Sequence, residues 1–139
     1  MCLLFMLFSI FHQPLSGGAL TVTILNFRNS EGQVSVALYN KEEGFPKSPD
    51  KALKIVTAPI SNKKSVVVFE SLPPGEYAIS VFHDENKNGK MDSNFFGIPK
   101  EGVGASNDAR GHLGPPHYQD AKFHFNGNAQ SIVINLVYL

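Results

Sequence analysis

After an apolar opening, hydrophobic and polar positions along this chain alternate with a period of two. Leu20, Val22 and Ile24 alternate with Thr21 and Thr23, and Val34, Val36 and Leu38 with Ser35 and Ala37. Tyr77, Ile79 and Val81 alternate with Ala78, Ser80 and Phe82, and Ile132, Ile134 and Leu136 with Val133 and Asn135. Alternation of this kind predicts half-buried strands, because successive side chains of an extended chain point to opposite faces. Three less regular runs join them. Leu53 to Ile60 contains Pro59, which suits an edge strand, Val66 to Phe69 is apolar on both sides, and Phe123 and Phe125 flank His124. The sum is seven strands, rich in β-branched and aromatic residues.

Turn chemistry separates the runs. Asn29-Ser30-Glu31-Gly32 lies between the first two, and Ser61-Asn62-Lys63-Lys64 and Leu72-Pro73-Pro74-Gly75 bound the fourth. Asn126-Gly127-Asn128 predicts a hairpin between the last two. Tyr77, just after the Pro-Pro-Gly turn, is placed to anchor a corner through its hydroxyl. No sustained helical period follows residue 19; the Pro-rich stretch around Pro46 and Pro49 leads into one helical turn near Asp50. Many short strands with regular turns predict a single all-β sandwich, seven-stranded and Ig-like, with one long Gly/Pro-rich loop.

The opening segment is of another kind. Met1 to Phe11 is almost wholly apolar, and Pro14, Ser16, Gly17, Gly18 and Ala19 follow. It is short of the roughly 20 residues of a membrane-spanning helix but fits the 7–15 apolar residues of a signal peptide. No Lys or Arg precedes the run. Residues 1–18 are therefore expected to be a cleaved signal peptide and 19–139 the mature domain, exported to the periplasm, the cell envelope or the medium, with no transmembrane span of its own. Composition narrows the chemistry. The sole cysteine, Cys2, falls in the leader, so the mature domain has neither disulfide nor thiol chemistry. Lys plus Arg and Asp plus Glu number 12 each, which gives no basic stripe for nucleic acid.

From Asp84 to Asp120 the strand rhythm lapses, and long irregular stretches in compact domains tend to carry function. The stretch opens with Asp84-Glu85-Asn86-Lys87-Asn88-Gly89-Lys90-Met91-Asp92. Asp84, Asn86, Asn88 and Asp92 stand at positions one, three, five and nine of an EF-hand-type loop, Gly89 at the turn, and Lys90 offers its carbonyl at position seven. The pattern points to Ca²⁺, which takes about 6–8 oxygen ligands. Position twelve, where such loops place a bidentate Glu, is Phe95, so a carboxylate such as Glu101, Asp108 or Asp120 must complete the shell. With only Asp84 and Asp92 as anionic ligands the affinity is expected to be modest. The same residues also read as an Asx-rich turn needing no metal.

The remaining polar candidates for a ligand surface are His83, Arg110, His112, His117 and Tyr118, joined by Phe95. His83 shares parity with Tyr77, Ile79 and Val81, which places it on their face as a packed, hydrogen-bonded residue. Zinc held by His83, His112 and His117 matches no ligand spacing. Phe95 and Phe96 are expected to fold the loop back onto the core. A hydrolase using His83, Arg110 and His117 lacks a nucleophile in a G-x-S-x-G setting, since neither Ser93 nor Ser106 has one.

Several stretches together resemble a family of exported bacterial proteins catalogued as domain of unknown function 2141. They are Phe69 to Asn86, Asn94 to Gly102, Asn107 to Gly111, Gly114-Pro115-Pro116 and Asp120 to Phe123, with Gly32-Gln33-Val34 and Gly44-Phe45-Pro46. The resemblance covers nearly the whole mature chain. It implies export and a fold similar to transthyretin-like or carboxypeptidase-regulatory-like sandwiches, whose members are commonly non-catalytic; it implies no particular activity. The expected function is a non-catalytic module whose calcium-type loop orders a surface for a ligand or envelope partner. A metal-independent glycan- or small-molecule-binding module is the alternative.

Overall fold

The computed structural model describes residues 18–91, 99–112 and 114–139. Eight strands form two sheets: β1 (Gly18–Leu25), β2 (Gln33–Tyr39), β3 (Lys54–Pro59), β4 (Ser65–Leu72), β5 (Gly75–Asp84), β6 (Val103–Ala105), β7 (Phe123–Phe125) and β8 (Gln130–Asn135). One sheet has the order β4-β1-β8, the other β3-β2-β5-β6, with β7 paired to the start of β5. The protein is an all-β sandwich, as the alternation predicts.

The inward parity of each strand supplies the core. Leu20, Val22 and Ile24 of β1 face Val34, Val36 and Leu38 of β2 and Ile79 and Val81 of β5, all essentially fully buried. Each such side chain contributes about 1.5–3 kcal/mol on leaving water. β4 keeps Val67 and Phe69 inward, then a register shift opposite Gly18 and Leu20, with Ser71 at a positive φ, turns Leu72 into the core. Val66 and Val68 stand on the open outer face beside Thr23 and Thr21. Tyr77 donates its hydroxyl to the Pro73 carbonyl at 2.6 Å, the expected corner anchor. β3 is an edge strand, as Pro59 suggests, and a 3-10 turn covers Pro49–Lys51.

Three sequence expectations are corrected. Asn126-Gly127-Asn128 is not a hairpin: β7 pairs with β5, while β8 crosses to the other sheet and runs parallel to β1. The local turn chemistry is satisfied, with Gly127 at φ 87°, but it does not choose the sheet that the next strand joins. The stretch after Asp84 is not without regular structure either. It contains β6 and a one-turn helix α1 (Tyr118–Ala121), so the strands among the described residues number eight rather than seven. β6 escaped notice because three residues centred on Gly104 carry no alternation. Gly104 is required there, since a Cβ would stand 2.8 Å from Ile134 Cγ2.

The helix α1, with Ala109, also covers the outer face of the β3-β2-β5-β6 sheet at one end. Tyr39, Ala37, Ala78 and Ala105 are buried there under Tyr118 and Ala121, with Phe45 set edge-on to both tyrosine rings. Ser106, fully buried, ties this layer to the sheet, accepting the Ile79 N–H at 2.9 Å and donating to the Ala121 carbonyl.

Candidate functional site

β5 delivers two polar side chains to its end on opposite faces. His83 keeps the parity of the core and is fully buried. Its Nδ1 lies 2.8 Å from the Tyr138 hydroxyl and its Nε2 2.6 Å from the Glu31 carbonyl. A carbonyl only accepts, so Nε2 carries the proton; Tyr138, whose oxygen accepts the Arg28 N–H at 3.0 Å, donates to Nδ1. Burial pushes the Tyr138 hydroxyl pKa up, keeping it a donor. With both ring nitrogens engaged, His83 is a core residue and is withdrawn from the ligand surface on which the sequence had placed it.

Asp84, on the other parity, roots the predicted calcium-type loop and is fully buried. Its Oδ1 accepts the Asn88 N–H at 3.2 Å; its Oδ2 accepts the Gly89 N–H at 2.9 Å and Gln33 Nε2 at 3.2 Å. Asn86 Oδ1 also accepts the Asn88 N–H, and Asn88 Oδ1 accepts the Lys90 N–H. Lys87 and Gly89 take positive φ, curling the chain around the Asp84 carboxylate. Of the carboxylates suggested as completing ligands, the fold brings Glu101 to the loop: it is 5% exposed and accepts the Glu85 N–H at 2.7 Å. Asp108 is committed to Asn135 through the backbone N–H and side-chain amide, and Asp120 is exposed on α1. Asp92 and Phe95 lie outside the described residues.

The connection between β1 and β2 holds the loop from outside. Glu85 is ion-paired with Arg28 and accepts Asn29 Nδ2 at 3.1 Å. Burial opposes its ionisation, but the Arg28 and Asn29 hydrogen bonds outweigh that and hold the carboxyl below its ordinary range. Gly32, at φ +72°, packs directly on the Asp84 carbonyl and Glu85, where a Cβ has no room.

Asp84 has no cationic partner among the described residues. Its three donors leave room on a carboxylate that offers about four acceptor positions. The side-chain oxygens of Asp84, Asn86 and Asn88 are of the type a hard cation takes, and in the structure each residue accepts a backbone N–H of the loop. Among the described residues no three His, Cys, Asp or Glu side chains converge, so the zinc set His83, His112 and His117 is not brought together.

The loop also forms the rim of a groove. Beyond the covered end of the outer sheet face lies a cavity of about 1330 Å³. Its floor is Ser35 and Ala37 of β2, Ser80 and Phe82 of β5, and Val103 and Ala105 of β6, brought side by side by the ladder register. Pro46, Lys47 and Pro49 line it, as do Arg110, Gly111 and Gly114-Pro115-Pro116. Gly89, Lys90 and Met91 of the loop reach it too. Of the sequence-predicted surface residues, Arg110 alone among those described lines this groove. Tyr118 is buried in the covering layer, and His112 and His117 are exposed but are not groove residues. His83 and Arg110 lie on opposite faces of one sheet, so the hydrolase set does not assemble. The floor itself was missed; its only signal was small residues on the polar parity of β2 and β5.

Fold and site together define a β-sandwich with one walled outer face. The chain belongs to the family described as an uncharacterized protein conserved in bacteria (DUF2141), whose model matches residues 22–133. No curated protein and no solved structure matches it. Among the described residues no helix is long and apolar enough to cross a membrane.

Proposed function

We propose that this protein is an exported, non-catalytic binding module in which a calcium-closed loop stands at the rim of a ligand groove. The reading rests above all on one observation: the loop wrapped around the buried Asp84 carboxylate is the loop whose Gly89, Lys90 and Met91 line the groove. Asp84, Asn86, Asn88, the Lys90 carbonyl and Asp92 supply the oxygens for Ca²⁺, and Glu101 is the carboxylate that replaces the missing one at position twelve. The ion fixes the rim; the groove takes the ligand. Export is supported by the apolar segment at residues 1–11 followed by small residues.

Calcium titration followed by thermal melting of the mature domain tests the metal. Extracellular sites bind at about 10⁻⁴–10⁻³ M. Ten millimolar Ca²⁺ then adds about 1.4–2.7 kcal/mol, a rise in Tm of roughly 5–10 °C. Mg²⁺, smaller and strictly octahedral, gives less. Asn86→Ala, which leaves the Asp84 hydrogen bonds in place, abolishes the calcium-dependent rise. Equal melting in calcium and in chelator identifies the loop as a self-satisfied Asx turn and the module as metal-independent.

A further inference from the structure

We propose that the groove selects an amphipathic small molecule with an unbranched apolar body and a single carboxylate head, a medium-chain carboxylic acid. The inference deepens the binding-module reading and rests on it.

The body of the ligand follows from the floor. Ala37, Ala105, Val103 and Phe82 present methyl and ring surface, interrupted only by Ser35 and Ser80. β2 and β5 are paired on both sides through this region, and β6 is paired to β5 on one side and, through Val103, to Val137 on the other. An extended peptide laid on a sheet face finds no free ladder there, and its amides lose water without gaining partners. A hydrocarbon chain has no such requirement. The volume, about 1330 Å³, exceeds the roughly 300–1000 Å³ of ordinary small-molecule pockets and has room for such a chain.

The head follows from the charge of the lining. Lys47, Lys90 and Arg110 border the groove, against one acid, Asp108, whose carboxylate is occupied by Asn135. None of the three cations has an ion-pair partner among the described residues, whereas Arg28, Lys41, Lys51 and Lys122 do. In a chain of zero net charge this is a local excess of positive charge at an apolar cleft. Arg110 presents the planar fork that matches a carboxylate in two parallel hydrogen bonds.

Titration of the ¹⁵N-labelled mature domain, in calcium, with octanoate, 1-octanol and octylamine tests this. Octanoate is expected to shift the amides of Ala37, Ser80 and Ala105, with octanol moving the same amides at about ten-fold higher Kd and octylamine weaker still. The double variant Lys47→Gln/Arg110→Gln brings the octanoate-to-octanol ratio near one, and Lys54→Gln, away from the groove, leaves it unchanged. Octanol or octylamine binding as tightly as octanoate overturns the carboxylate inference while the groove reading survives. If no probe moves the groove amides, both fall.

Discussion

The two faces of the β3-β2-β5-β6 sheet share strands and differ in everything else. Toward the other sheet, β2 and β5 present Val34, Val36, Leu38, Ile79 and Val81, interlocked with β1 and β8. Away from it, the alternate positions Ser35, Ala37, Ala78 and Ser80 are small and lie under or beside a layer formed by the long excursion after Asp84. Large inward residues pack the first space and are buried there. Small outward residues beneath a separate layer leave the second partly unfilled. The comparison teaches that here the cleft is made by what covers a sheet face, while the stability of the sheet is set one residue away, on the other parity.

The sharpest way to break the comparison is to truncate neighbouring residues on the two faces. Ile79→Ala leaves a cavity in the sandwich core and is expected to cost about 2–5 kcal/mol in denaturant unfolding. Ser80→Ala, its neighbour on the groove face, is expected to stay within about 0.5 kcal/mol. Similar costs at both positions erase the distinction.

The next effect is at the joint between loop and sandwich. Gly32→Ala combines a strained positive φ with a collision against the Asp84 carbonyl, and a loss of about 1–3 kcal/mol is expected. The calcium-dependent rise in melting temperature should shrink with it, because the loop loses its seat. A variant as stable and as calcium-responsive as the parent removes the β1–β2 connection from the account.

The smallest effect is electrostatic. The Arg28–Glu85 pair is partly exposed, with Arg28 about half accessible, so solvent screening limits it to about 0.5 kcal/mol. Glu85 has a depressed folded-state pKa, so its contribution is present above the ordinary carboxylate value of 4.5 and disappears as pH falls through the lower folded value. The stability gap between the parent and Glu85→Gln should therefore be constant from neutral pH down to about 4.5 and close below it, in pH-dependent chemical melts. A gap that widens with acid points to another group.

How much of this was legible in the sequence follows from the range of each interaction. Strand parity is local, so Leu20, Val34, Ile79 and the inward orientation of His83 were readable from alternation. The Asp84 to Lys90 wrap was readable because its oxygens and Gly89 are adjacent in the chain. The crossover from β7 to β8 was not, since Asn126-Gly127-Asn128 satisfies its own backbone whichever sheet follows. Glu101, Asp108 and Asp120 were equivalent as completing carboxylates until the fold gave Asp108 to Asn135 and brought Glu101 to the Glu85 N–H. The groove was least legible: Ser35, Ala37 and Ser80 read as an ordinary solvent face, and only β6 beside them, with Pro46, Arg110 and Pro115 around them, makes a cleft.

The central claim is that a calcium-closed loop stiffens the groove wall independently of the core. Amide hydrogen exchange of the mature domain, in saturating calcium and in chelator, tests it most directly. The account predicts slower exchange with calcium across residues 84–91 and 99–112, and no change in the core strands β1 and β2. Unchanged exchange at the loop, or a shift spread evenly over both faces, contradicts it.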